Sequence, residues 1–117
     1  MSEAKIIQLA ETLGRALAET PETTKLRETR QGLQDDSDTA ELLKQYQQQV
    51  EKVAQMERDK KPIEVDDKHK LQELEDKLLG AEPFKKFTAA QVDYADLMRK
   101  VNEAIRKQLG EPDTIET

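Results

Sequence analysis

The sequence predicts an all-α fold, a helical bundle built on a long antiparallel helix hairpin with short flanking helices. Three observations predict it. About half of the chain is Ala, Glu, Lys, Leu or Arg, the composition of long helices and coiled coils. Apolar residues recur three and four apart, and no stretch alternates as a strand would. Turn formers are scarce, with four Gly and four Pro in 117 residues.

Each element follows from its periodicity and its punctuation. A first helix is expected from about Ser2 to Ala18, with Ile6, Leu9, Leu13 and Leu17 in one stripe. Thr20-Pro21 restarts the chain, Thr20 as a cap and Pro21 at a first helical position. A weaker second helix runs to about Leu33 and turns Leu26 and Leu33 inward. Asp35-Asp36-Ser37-Asp38 breaks it, and Asp38 with Glu41 fits an acidic form of the capping box. A third helix, about Thr39 to Lys60, carries Leu43, Tyr46, Val50 and Val53 in a 3-4-3 rhythm. It spans roughly 33 Å at 1.5 Å per residue. Its Gln47-Gln48-Gln49 run reads as solvated surface.

Lys60-Lys61-Pro62 ends that helix, and Ile63 and Val65 pack locally. A fourth helix starts near Asp66 and aligns Leu71, Leu74 and Leu78, with Gly80 as its C-cap. A fifth runs from about Pro83 to Leu109 with a stripe of Phe84, Phe87, Tyr94, Met98, Val101 and Ile105. Glu73/Lys77, Asp96/Lys100 and Glu103/Lys107 are i,i+4 pairs in the favourable order. The expected hairpin pairs 39–60 with 83–109, closed by the segment between them. Residues 1–109 are expected to form a single helical domain, and 110–117 a disordered tail.

Charge and composition exclude several functions. The net charge of -6 and the pI near 4.9 argue against direct nucleic-acid binding, which needs a basic patch. With no Cys there is no disulfide, thiolate metal site or Cys nucleophile. Neither Ser2 nor Ser37 lies in a nucleophile elbow, and one His cannot complete a triad around them. The four glycines are too scattered to cradle a phosphate. Asp66-x-x-His69 has the spacing of a helical carboxylate–imidazole metal pair, but no second His completes it. Asp36-x-Asp38 resembles the start of a calcium loop, but Glu41 holds the position that needs Gly. The acidic pairs Asp93/Asp96 and Glu73/Asp76 sit among Lys and Arg and read as solvated surface. No catalytic residue, cofactor or metal is expected.

No apolar run approaches the roughly 18 residues of a membrane span, and no apolar segment follows Met1 as in a secretory signal. The expectation is a cytoplasmic protein that does not engage membranes. Leu, Ile, Val and Phe make up about a fifth of the chain, barely above the level of disordered sequences. A core this thin suggests apolar surface shared with a partner, most simply a second copy. The candidate interface is Leu43, Tyr46, Val50 and Val53 on the third helix with Phe87, Tyr94, Met98, Val101 and Ile105 on the fifth. The alternative reading of these residues is intramolecular core.

The order of elements carries a resemblance. Ile6-x-x-Leu9-Ala10-x-x-Leu13-Gly14-x-Ala16-Leu17 is followed by a Pro-Glu-x-x-x-Leu step at 21–26. An Asp-rich cap leads into Leu42-Leu43-x-x-Tyr46 and a Gln-rich helix, then a Lys-Lys-Pro-Ile break at 60–63. Tyr94-Ala95-x-Leu97-Met98-x-x-Val101-x-x-x-Ile105 closes the pattern. Over nearly its whole length the chain resembles the YlbF/YmcA family of small helical bacterial proteins. The resemblance implies a cytoplasmic, often dimeric regulator without enzymatic activity, acting in competence, sporulation and biofilm formation. It also implies partners: paralogous family proteins, or ribonuclease Y, for which some members act as specificity factors. The chain departs from the pattern at Thr23-Thr24, where an aromatic often stands, and at Lys60, where Gly often does. Two other readings remain: a chaperone-like holdase with apolar helix tips near Ile63 and Phe84, and a metal protein or enzyme using Asp66 and His69.

Overall fold

The computed structural model describes residues 1–111, and the tail expectation for 112–117 lies outside them. Among the described residues there are five helices and no strand. They are α1 (Glu3–Ala18), α2 (Pro21–Asp35), α3 (Ser37–Arg58), α4 (Val65–Gly80) and α5 (Glu82–Gln108). The all-α class is as the sequence predicts.

Local chemistry sets the helix starts. Ser2 Oγ accepts the Lys5 N–H at 3.2 Å and caps α1, whose first turn carries Glu3 against the positive end of the helix dipole. Thr20 Oγ accepts from the Thr23 N–H, with Pro21 filling the position that needs no donor. The cap of α3 is Asp36, not Asp38: its Oδ1 accepts the Thr39 N–H at 2.9 Å. A single residue between α2 and α3 therefore does the work expected of the four-residue break. The hydrogen bond from the Thr39 backbone N–H, and after it one from the Thr39 side chain, holds the Asp36 carboxyl below the ordinary carboxylate range.

The helix ends differ from the expectation at one glycine. Gly80 is the last residue of α4 and Ala81 is its cap, in extended backbone. The left-handed stops are Lys60 (φ 57) and Gly110 (φ 78). Both close the same motif. Lys61 N–H reaches Met56 O at 2.9 Å and Lys60 N–H reaches Glu57 O at 3.1 Å. Glu111 N–H reaches Arg106 O at 3.0 Å and Gly110 N–H reaches Lys107 O at 3.2 Å. Each is a Schellman ending, in which two of the last free carbonyls accept a hydrogen bond.

The chain divides into two compact units. Among the described residues the first comprises 1–28 and 89–111, and so holds α1, the start of α2 and most of α5. The second, Thr29–Thr88, holds the end of α2, α3, α4 and the first turns of α5.

The second unit contains a helix hairpin. In it α3 packs against α4, across the short connection 59–64, so the segment expected to close a longer hairpin forms one with α3. The reason lies in register: α4 aligns Asp67, Leu71, Leu74 and Leu78 at 4-3-4 spacing. The facing row of α3 is Leu42, Tyr46, Gln49, Val53 and Met56, in strict 4-3-4-3 spacing. Leu74 and Leu78 are buried, and Leu33 from α2 is buried in the same unit.

Candidate functional site

The nine candidate interface residues fall in both units. Leu43, Tyr46, Val50, Val53 and Phe87 lie in the second; Tyr94, Met98, Val101 and Ile105 lie in the first. None is buried. Seven are half-buried, while Val50 and Ile105 are exposed. Val50 turns outward because the packed row of α3 runs through Gln49 instead.

Gln49 is the residue the sequence reading placed wrongly. Its neighbours Gln47 and Gln48 are exposed, but Gln49 is 3% exposed. Its Nε2 donates to Asp67 O at 3.0 Å and to Asp67 Oδ1 at 3.3 Å. Lys52 Nζ closes the cluster on Asp67 Oδ1 at 3.0 Å. The hydrogen bond from Lys52, then that from Gln49, holds the Asp67 carboxyl below the ordinary carboxylate range. Asp67 itself is buried, with 7% exposure. The clasp fixes the register of α3 on α4, since a one-residue slip would strand a buried amide and a buried carboxylate. The signal was legible: Gln49 lies three residues after Tyr46 and four before Val53, and Asp67 lies four before Leu71.

The titratable candidates are at the surface. His69 is exposed and borders an open groove of α3 and α4 with Gln45, Asp66, Lys70, Glu73, Leu74 and Lys77. Among the described residues no group of three or more His, Asp or Glu is placed to hold a metal ion. In the first unit, Asp93 and Asp96 of α5 line a second open groove with Pro21, Glu22 and Lys25 of α2. Asp96 is engaged by Arg99 at 2.7 Å and by Lys100 at 3.2 Å. These bonds, led by the one from Arg99, lower its pKa. Glu103 pairs with Arg99 at 2.8 Å rather than with the expected Lys107. The expected Glu73–Lys77 pair forms at 2.9 Å.

Apolar exposure marks α1. No residue of α1 is buried, and Ile6, Ile7, Leu9 and Leu13 are all exposed. Ile63 and Phe84, the tips a holdase would use, are half-buried. No described helix is long and apolar enough to cross a membrane.

Comparison with known families gives a match over most of the chain. The family described as control of competence regulator ComK, YlbF/YmcA, matches residues 6–110. No curated protein and no solved structure matches the chain.

Proposed function

The chain belongs to the YlbF/YmcA family, a regulatory family, and from that premise we propose that it is a non-catalytic regulator acting in the cytoplasm through protein–protein binding. The family match across 6–110 carries the reading. The apolar positions left half-buried on α3 and α5 support it, because a regulator without a reaction to perform needs a surface to present. The partners proposed are a second copy, paralogous family proteins, or a ribonuclease whose choice of transcript the complex would set. No cofactor and no direct nucleic-acid contact enter this reading, in keeping with the net charge of -6.

Affinity capture of the tagged chain from its native cell, with mass spectrometry, tests it. Paralogues or a ribonuclease should be recovered from cells with the unaltered chain and depleted with Tyr46→Ala or Met98→Ala, at unchanged helicity. Equal recovery by all three chains removes the α3 and α5 surface from the proposal. Suppression of a client's aggregation by the purified chain, with no specific partner, would favour the holdase instead.

A further inference from the structure

The most apolar helix of the protein is the least covered. α1 is strongly amphipathic, has only Glu3, Lys5, Glu11 and Arg15 as charges, and buries nothing. Ile6, Ile7 and Leu9 are each more than half exposed. A 16-residue helix is marginal in water by itself, so its stability depends on something against its apolar face.

We propose that the Ile6–Leu9–Leu13 face of α1 binds the same face of α1 in a second copy of this chain, antiparallel, about a two-fold axis. Charge selects this occupant. Two chains of net charge -6 repel, and α1 is a surface where that repulsion is absent, since its two acids and two bases cancel. Register supplies the complementarity. Helical spacing places Ile6, Leu9, Leu13 and Leu17 on one stripe, with Lys5 and Glu19 along the same flank of it. An antiparallel pair centred near Glu11 and Thr12 sets Leu9 level with Leu13 of the second copy and Ile6 level with its Leu17. The same centre sets Lys5 level with Glu19 of the second copy, and the two-fold axis repeats that opposite-charge pairing. On the other flank Ala10 and Gly14 offer little bulk to keep the helices apart, and a Cβ at Gly14 would meet nothing. Two helices about 24 Å long give a contact at the small end of specific interfaces, under roughly 1,200 Å² in total. The association is therefore reversible and concentration-dependent.

The inference rests on the protein-binding reading above and adds the surface and its occupant. Sedimentation velocity of the full chain over a micromolar dilution series tests it. The unaltered chain should pass from monomer to dimer. Leu9→Glu should raise the dissociation constant at least about tenfold, as loss of a central anchor does. Lys5→Glu and Glu19→Lys should each weaken the dimer about two- to fivefold, and the double reversal should restore it. That rescue does not depend on how Leu9→Glu folds, and a merely structural role for α1 would not produce it. A chain monomeric throughout the series overturns the proposal. So does a dimer that both Leu9→Glu and the single reversals leave intact. A dimer lost with Tyr46→Ala but kept with Leu9→Glu overturns the α1 assignment while leaving the protein-binding reading in place.

Discussion

α1 and the α3–α4 hairpin invert the usual relation between polarity and burial. α1 carries Ile6, Ile7, Leu9, Leu13 and Leu17 and buries none of them. The hairpin buries Thr39, Gln49 and Asp67 beside Leu74 and Leu78. Burial follows the presence of a partner helix, not hydropathy. α4 offers α3 a matching row at the right spacing, and a polar residue in that row goes inside provided its bonds are made. In α1 the apolar row is as regular, but exposed. The contrast teaches that buried side chains are concentrated in the hairpin, while the apolar row of α1 stays exposed.

The sharpest way to break that contrast is one truncation in each region. Leu78 is 3% exposed. Leu78→Ala should cost about 2–4 kcal/mol, read by urea unfolding, because the hairpin cannot close over the lost methyls. Leu9→Ala should cost the dilute monomer less than about 1 kcal/mol, since a half-exposed side chain loses little burial and Ala favours helix. Equal losses at the two sites would show that α1 is packed within the monomer.

The clasp tests the hairpin from its polar side. Gln49→Ala should cost about 1–2 kcal/mol, because it leaves the buried Asp67 carbonyl without its side-chain donor. The pH dependence has a definite sign. Asp67 has a lowered pKa in the fold. Its contribution is therefore complete above the unfolded-state value near 4 and is lost as pH falls through the folded value. Urea midpoints should drop below about pH 4, and the drop should be smaller in Asp67→Asn. A pH profile unchanged by that substitution would remove Asp67 from the account of hairpin register.

Much of this was legible in the sequence, and the failures share one cause. Five helices, their rough limits and the buried Leu33, Leu74 and Leu78 follow from apolar spacing and from Thr20-Pro21 and Lys61-Pro62. Gln49 was lost because a Gln-rich run reads as solvated when composition outweighs register. With Gln49 read as surface, the α3 stripe falls on Leu43 and Val50, and the register that joins α3 to α4 goes unseen. Which helix meets which is a tertiary choice, and periodicity shows only that each has a face to bury. The same limit applies to the candidate interface. Spacing selected Tyr46 and Met98 as seam residues but could not say which seam is closed within the chain. It gave no sign either that α1, with the clearest stripe, would be left open.

The smallest effect compares the turn of the hairpin with the end of α5. Lys60 and Gly110 close equivalent Schellman endings, one in the turn of the hairpin and one at the end of α5. A left-handed conformation costs an ordinary residue about 1–2 kcal/mol and glycine almost nothing. The hairpin therefore carries backbone strain at Lys60 that α5 avoids at Gly110. Lys60→Gly relieves that strain but loosens the unfolded chain, which takes back part of the gain. The net should be a stabilisation of roughly 0.5 kcal/mol, seen as a small rise in the urea midpoint. Gly110→Ala should do the reverse by a similar amount. A Cβ there would meet no neighbour, so any loss comes from the backbone alone. If Lys60→Gly instead lowers stability, the Lys60 side chain contributes to the turn more than its strained backbone costs.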